Sequence, residues 1–262
     1  RQSKIGLEMA IKRLKPQDKF NIVLFNDRFS SYSRTPVKAT ARERDKAIRY
    51  VRRLQADGGT EMYPALKFSL INFRSDKSVL KQLIFLTDGA VTEESRLFSL
   101  INRELKTARL FTIGIGSAPN SFFMTRAAEI GRGSHIHIGD MDEISNRMSE
   151  LFSKIENPAV TDLKLILPKG FRAEVYPNPL PDLYVGDPLS IAIRGRNASG
   201  IAKVTGKIGN QKWVVRIPLD QGAEQIGIAK LWAREKISNL ERSRIAFNPS
   251  ANQKAHIDSE LL

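Results

Sequence analysis

Gln82-Leu83-Ile84-Phe85-Leu86-Thr87-Asp88-Gly89 decides the fold. Its apolar residues run together without alternation. That pattern suits a strand covered on both faces, as in a parallel sheet. The run ends in Thr-Asp-Gly, which is ordinary turn chemistry. In open α/β sheets, ligands bind beyond the carboxyl ends of the strands, so Asp88 should present its carboxylate at that rim.

The same texture recurs on both sides. Phe20 to Phe25 and Leu110 to Gly116 are nearly continuous apolar runs and predict two more buried strands, with a further strand at 134–138. Between them lie helical patterns at 1–14, 41–54, 61–73, 92–107, 119–130 and 141–155. Segment 28–38 reads as an extended edge. Alternating β and α elements predict a doubly wound, mostly parallel sheet with helices on both faces and right-handed crossovers.

Beyond Asn157-Pro158 the pattern changes to short Val/Ile/Leu-rich segments at 160–167, 171–176, 183–196, 201–208 and 212–219, punctuated by Gly and Pro. They predict a smaller antiparallel, sandwich-like β domain with turns such as Gly209-Asn210. A helix over 223–241 and a polar tail follow. The expected organisation is an α/β domain at 1–157, a β-rich domain at 158–222, and a C-terminal helix and tail at 223–262 that stops mid-pattern.

The chain has 262 residues, enough to bury a sizeable core, and 41% of them are apolar. No stretch reaches the roughly 18 apolar residues of a membrane span. There is no cysteine, which excludes disulfides, thiol catalysis and zinc-thiolate sites. Lys and Arg outnumber Asp and Glu by 42 to 28, for a net charge of +14. Such a balance suits polyanionic partners such as nucleic acid, anionic lipid, acidic glycans or acidic proteins, and equally a plain basic surface.

Two loops carry the candidate chemistry. Gly58-Gly59 lets the backbone bend sharply and presents Thr60 at the start of a helix, while Asp88 closes a strand. A hydroxyl, a carboxylate and waters suit a hard cation such as Mg²⁺, Mn²⁺ or Ca²⁺. Taken alone, the residues equally describe a helix N-cap and a turn former, and two ligands do not make a metal site.

The stretches RQSKIGLEMAIKRLKPQDKFNIVLFND, DGGTEMYPAL, LIFLTDGAV and LFTIGIGSAPN together resemble a von Willebrand factor A-type domain. More narrowly, they are similar to that domain in proteins related to inter-alpha-trypsin inhibitor heavy chains. The likeness continues through the β region to IGIAKLWAREKISNL. The resemblance implies a metal-ion-dependent adhesion site built from an Asp-x-Ser-x-Ser loop, a Thr loop and an Asp loop. It makes Thr60 the Thr-loop ligand and Asp88 the Asp-loop ligand, with Glu61 beside them. The Asp-x-Ser-x-Ser loop is expected ahead of the 1–14 helix, and Ser3 has no Asp partner to replace it. The expectation is therefore an N-terminally truncated chain without the first strand and first metal loop. The intact parent would bind Mg²⁺ (or Mn²⁺ or Ca²⁺), and this fragment would bind it weakly or not at all.

An open coordination position on such a cation would accept an Asp or Glu carboxylate from a partner protein. No histidine neighbours either loop, and Glu61 and Asp57 are the only local bases. Metal-assisted hydrolysis needs an activated water and a proton acceptor, so the expected role is binding and not catalysis. The resemblance implies a surface, periplasmic or secreted parent protein.

Other signals are weaker. His135 and His137 share one face of a strand without a third ligand, which suits a polar strand face better than a metal site. Arg42, Lys46, Arg49 and Arg53 form a stripe on the 41–54 helix. It reads as a patch for an acidic glycan, nucleic acid or other polyanion, or as a solvated face softened by Glu43 and Asp45. Gly114-Ile115-Gly116 lacks the third glycine of a dinucleotide fingerprint. Asn197-Ala198-Ser199 has the form of a glycosylation site.

Overall fold

The computed structural model describes residues 2–55, 59, 61–72, 80–88, 91–116, 120–157, 159–223 and 225–246. The chain divides into two compact units, residues 1–152 and 153–262.

In the first unit the helices are α1 (Gln2–Arg13), α2 (Ala41–Arg53), α3 (Met62–Asn72), α4 (Glu94–Glu104), α5 (Ser121–Ile130) and α6 (Ile144–Glu156), the last of which runs on into the second unit. Short strands β1 (Lys19–Phe20), β2 (Val23–Phe25), β3 (Phe29–Ser31) and β4 (Val37–Lys38) lie between α1 and α2. Strands β5 (Gln82–Thr87), β6 (Arg109–Ile115) and β7 (Arg132–Ile138) form a three-stranded parallel sheet in the order β5-β6-β7.

The buried strands are where the apolar runs place them. All of β6 is buried, and Phe111, Ile113 and Thr112 are each 0% exposed. Alternation along β5 shows how the sheet is covered on both faces. Phe85 meets Phe123 of α5 edge-on at 6.3 Å, and Phe123 meets Phe98 of α4. The next residue, Leu86, faces the other way. Its Cδ1 lies 3.7 Å from where a Cβ on Gly6 of α1 would stand, and Met148 of α6 lies 3.4 Å from the same point. Helices therefore cover opposite faces of one strand, the layering of a doubly wound α/β domain.

Phe20 to Phe25 differs from the single buried strand that its composition predicts. It splits into β1, which pairs antiparallel with β4, and β2, which pairs antiparallel with β3. Asn21 causes the break. Its Oδ1 accepts from the main-chain N–H groups of Ile22 (2.9 Å) and Ser33 (3.1 Å), and its Nδ2 donates to the Ser33 carbonyl (2.7 Å). An amide side chain thus takes over hydrogen bonds that a regular ladder would make.

The second unit holds antiparallel strands in two sheets, β12-β11-β8 and β10-β9, formed by β8 (Val160–Ile166), β9 (Ala173–Tyr176), β10 (Ala192–Gly195), β11 (Ile201–Ile208) and β12 (Gln211–Pro218). Val160, Leu163 and Val204 form its core with Leu180, Leu183, Leu189, Ile191 and Trp213. The expected 183–196 strand is regular only over Ala192–Gly195. Helix α7 (Ile228–Ala246) begins later than the apolar pattern suggests. Its first turn forms on the Gly227 carbonyl, which accepts from Lys230 at 2.9 Å, and Ile226 stays outside, fully exposed.

Candidate metal-binding rim

Asp88 follows β5 directly and is exposed. Among the described residues its carboxylate makes no hydrogen bond or ion pair. An oxygen ligand without a protein partner, at the carboxyl end of a parallel strand, is the donor type a hard cation takes.

Thr60 lies outside the described residues, as do Asp57 and Gly58. Its neighbours on both sides are described, and both are tied to the β2–β3 turn. The Gly59 N–H donates to Asp27 Oδ1 at 2.6 Å, and the Glu61 N–H donates to the Asn26 carbonyl at 2.7 Å. The turn is itself braced: the Arg28 N–H donates to Asn26 Oδ1 at 2.9 Å. Phe25, the last residue of β2, stacks on Phe85 at 5.6 Å and so brings this turn to the carboxyl-terminal half of β5. The Glu61 side chain is exposed.

At residue 59 the absence of a side chain lets the Asp27 carboxylate come close to the main chain. A Cβ there would stand 2.6 Å from Asp27 Oδ1. Sequence reasoning missed Asn26 and Asp27. Their signal was present, since Asn-Asp after a strand is a turn pair whose side chains seek main-chain N–H groups. Its target, 32 residues away, was not legible.

Among the described residues, no three His, Cys, Asp or Glu side chains are grouped closely enough to hold a metal ion. The donor chemistry of Asp88 fits a hard cation, but as one ligand of a set.

The basic stripe on α2 is only partly available. Lys46 pairs with Glu43 at 3.5 Å and sits over the Tyr32 ring at 5.5 Å. Arg42, Arg49 and Arg53 are exposed. The Glu43 carboxylate also accepts from the Tyr32 hydroxyl, which holds its pKa below the ordinary carboxylate value; the field of Lys46 and Arg42 acts the same way. Two other arginines of α2 join it to α1. Arg52 grips Glu8 with two hydrogen bonds of 3.1 and 2.8 Å, and Arg44 donates to the Leu14 carbonyl at 2.7 Å.

His135 and His137 lie on β7, the first half-buried and the second exposed. Thr112 Oγ1 donates to the Met124 carbonyl at 2.8 Å, so its contact of 3.0 Å with His135 Nδ1 is one in which the ring nitrogen donates. Burial drives the His135 pKa below its ordinary 6.5, and nearby His137 acts in the same direction. Through Thr112, His135 belongs to a helix–strand joint in which His137 takes no part.

A parallel sheet covered by helices on both faces, with an exposed carboxylate at its carboxyl rim, defines a doubly wound α/β fold. The chain belongs to the von Willebrand factor type A domain family, whose model matches residues 2–135. It is 28% identical over 165 residues to a von Willebrand factor A domain-containing protein of Dictyostelium discoideum, covering 63% of this chain and 18% of that protein. It is 23% identical over 292 residues to inter-alpha-trypsin inhibitor heavy chain H2 of Sus scrofa, covering 100% of this chain and 31% of that protein. The chain thus spans less than a third of the length of these curated relatives. Among solved structures it resembles a von Willebrand factor type A protein from Catenulispora acidiphila, with a TM-score of 0.67 and 17% identity over 99% of this chain and 76% of that one. That likeness extends the shared fold across both units.

Proposed function

We propose that this chain is the recognition module of a larger, non-enzymatic adhesion or assembly protein, and that it contributes part of a divalent-cation site. Thr60 and Asp88 are the proposed ligands, Glu61 stands beside them, and Mg²⁺ is the proposed ion, with Mn²⁺ or Ca²⁺ as substitutes. The observation that carries this reading is the exposed Asp88 carboxylate at the carboxyl end of β5, without a hydrogen bond or ion pair among the described residues, in a chain of this family. The bracing of residues 59 and 61 by the β2–β3 turn supports it, because a metal ligand gains from a fixed main chain.

Two oxygen ligands leave most of a hard cation's coordination sphere to other groups. In this reading the remaining protein ligands come from an Asp-x-Ser-x-Ser loop. When bound, the cation supplies a positive centre with an open position for an acidic side chain of a partner protein. Residues 1–157 form the proposed binding domain, with 158–222 a β-rich domain and 223–262 a helix and tail. A surface, periplasmic or secreted setting follows from this role. Mg²⁺ that binds only the folded state raises the melting temperature of the full-length protein. Such a rise that is absent in Asp88→Ala supports the reading, and a rise of equal size in Asp88→Ala overturns it.

A further inference from the structure

The outward face of the β12-β11-β8 sheet carries an arrangement that folding alone does not favour. In the antiparallel register, Lys203 stands directly opposite Arg216, and Lys207 directly opposite Lys212. Lys164 stands opposite Thr205 on the same face. Like charges directly opposite one another destabilise a sheet. The acid at hand is Asp162, which pairs with Lys207 at 3.3 Å. Lys164, Lys203, Lys212 and Arg216 make no ion pair among the described residues, and all are exposed.

Exposed aliphatic side chains are interleaved with these cations. Ile201 and Val214 alternate with them along β11 and β12, and Ile166 pairs with Lys203 across the ladder. Their exposures are 51% for Ile166, 51% for Ile201 and 47% for Val214. The inward face carries no such row of cations: on β11 Ala202 and Val204 are buried, and on β12 Trp213 packs against the core while Val215 and Ile217 are 40% and 41% exposed. The described residues of the outward face therefore present no aromatic ring on which a nucleic-acid base could stack.

We propose that this face docks on an anionic lipid surface. The cations meet the headgroups, and Ile166, Ile201 and Val214 enter the interfacial layer. Charge complementarity argues for an anionic partner, and a chain of net charge +14 disfavours a second copy of itself. Interleaved aliphatics favour a bilayer interface over a fully hydrated polyanion. The inference is independent of the cation site at the Asp88 rim.

The test is co-sedimentation of the 262-residue chain with vesicles of phosphatidylglycerol and phosphatidylcholine, against vesicles of phosphatidylcholine alone. Each basic residue near an anionic surface contributes about fivefold in partitioning, so Lys203→Gln with Arg216→Gln should weaken binding by about 25-fold. The same pair of substitutions removes a like-charge contact and should leave the melting temperature equal or higher. Lys19→Gln with Lys38→Gln neutralises a matched cross-strand lysine pair between β1 and β4 and should change vesicle binding little. Binding only to anionic vesicles, lost in the first variant and kept in the second, supports the proposal. No binding to anionic vesicles overturns it, as does equal loss in both variants. Binding to heparin or single-stranded DNA but not to vesicles also overturns it.

Discussion

The main-chain N–H of Gly59 donates to the Asp27 carboxylate at 2.6 Å, so a turn between two short strands holds the loop that carries Thr60. Asp27→Ala removes the acceptor while Asp27→Asn keeps one. Alanine should cost about 1 kcal/mol of stability at this exposed site and raise proteolytic cleavage near residue 59, and asparagine should restore both. Gly59→Ala should mimic the alanine variant, because its Cβ would collide with the same oxygen. Limited proteolysis and thermal melting of the three variants check this.

Asp88→Ala should leave stability within about 0.5 kcal/mol, since an exposed carboxylate with no hydrogen bond or ion pair among the described residues contributes little to the fold. Chemical denaturation measures this. A large loss would mean that Asp88 caps or braces the rim instead of waiting for a ligand.

Thr112 is fully buried and joins α5 to β7 through the Met124 carbonyl and His135 Nδ1. Thr112→Val leaves the His135 Nδ1–H without its acceptor and should cost about 1–3 kcal/mol by denaturant titration.

His135 has a folded-state pKa below the ordinary 6.5, so its neutral form is the one the fold favours. The unfolded chain binds the proton more readily. This contribution to stability is therefore present above pH 6.5 and lost as pH falls below it toward the folded pKa. Melting temperature should drop on acidification through that window, and His135→Gln should drop less.

Gly133 on β7 crosses Leu110 of β6 so closely that a Cβ would stand 2.2 Å from the Leu110 carbonyl oxygen. Gly133→Ala must push the strands apart and should cost about 3 kcal/mol. Circular dichroism melting reads the effect directly.

The parallel sheet was legible because β5 and β6 are apolar without alternation, and burial on both faces is what such runs require. The split of residues 19–25 was not. It depends on the Asn21 side chain reaching Ser33, a tertiary choice that an apolar pattern does not encode. At the rim, Asp88 was legible from its place after a strand, but Asp27 was not. A carboxylate in a turn looks the same whether it faces water or a glycine N–H far along the chain. The α2 stripe looked uniform by spacing, yet Lys46 is engaged with Glu43 and Tyr32. The like-charged pairs of β11 and β12 escaped notice because they exist only once the register is known.

We propose that Asp88 ligates a divalent cation. Titration of Mn²⁺ into the full-length protein, followed by electron paramagnetic resonance, tests it most directly. Saturable binding is expected, and Thr60→Ala and Asp88→Ala should each weaken it by at least about tenfold. Unchanged Mn²⁺ affinity in Asp88→Ala would contradict it.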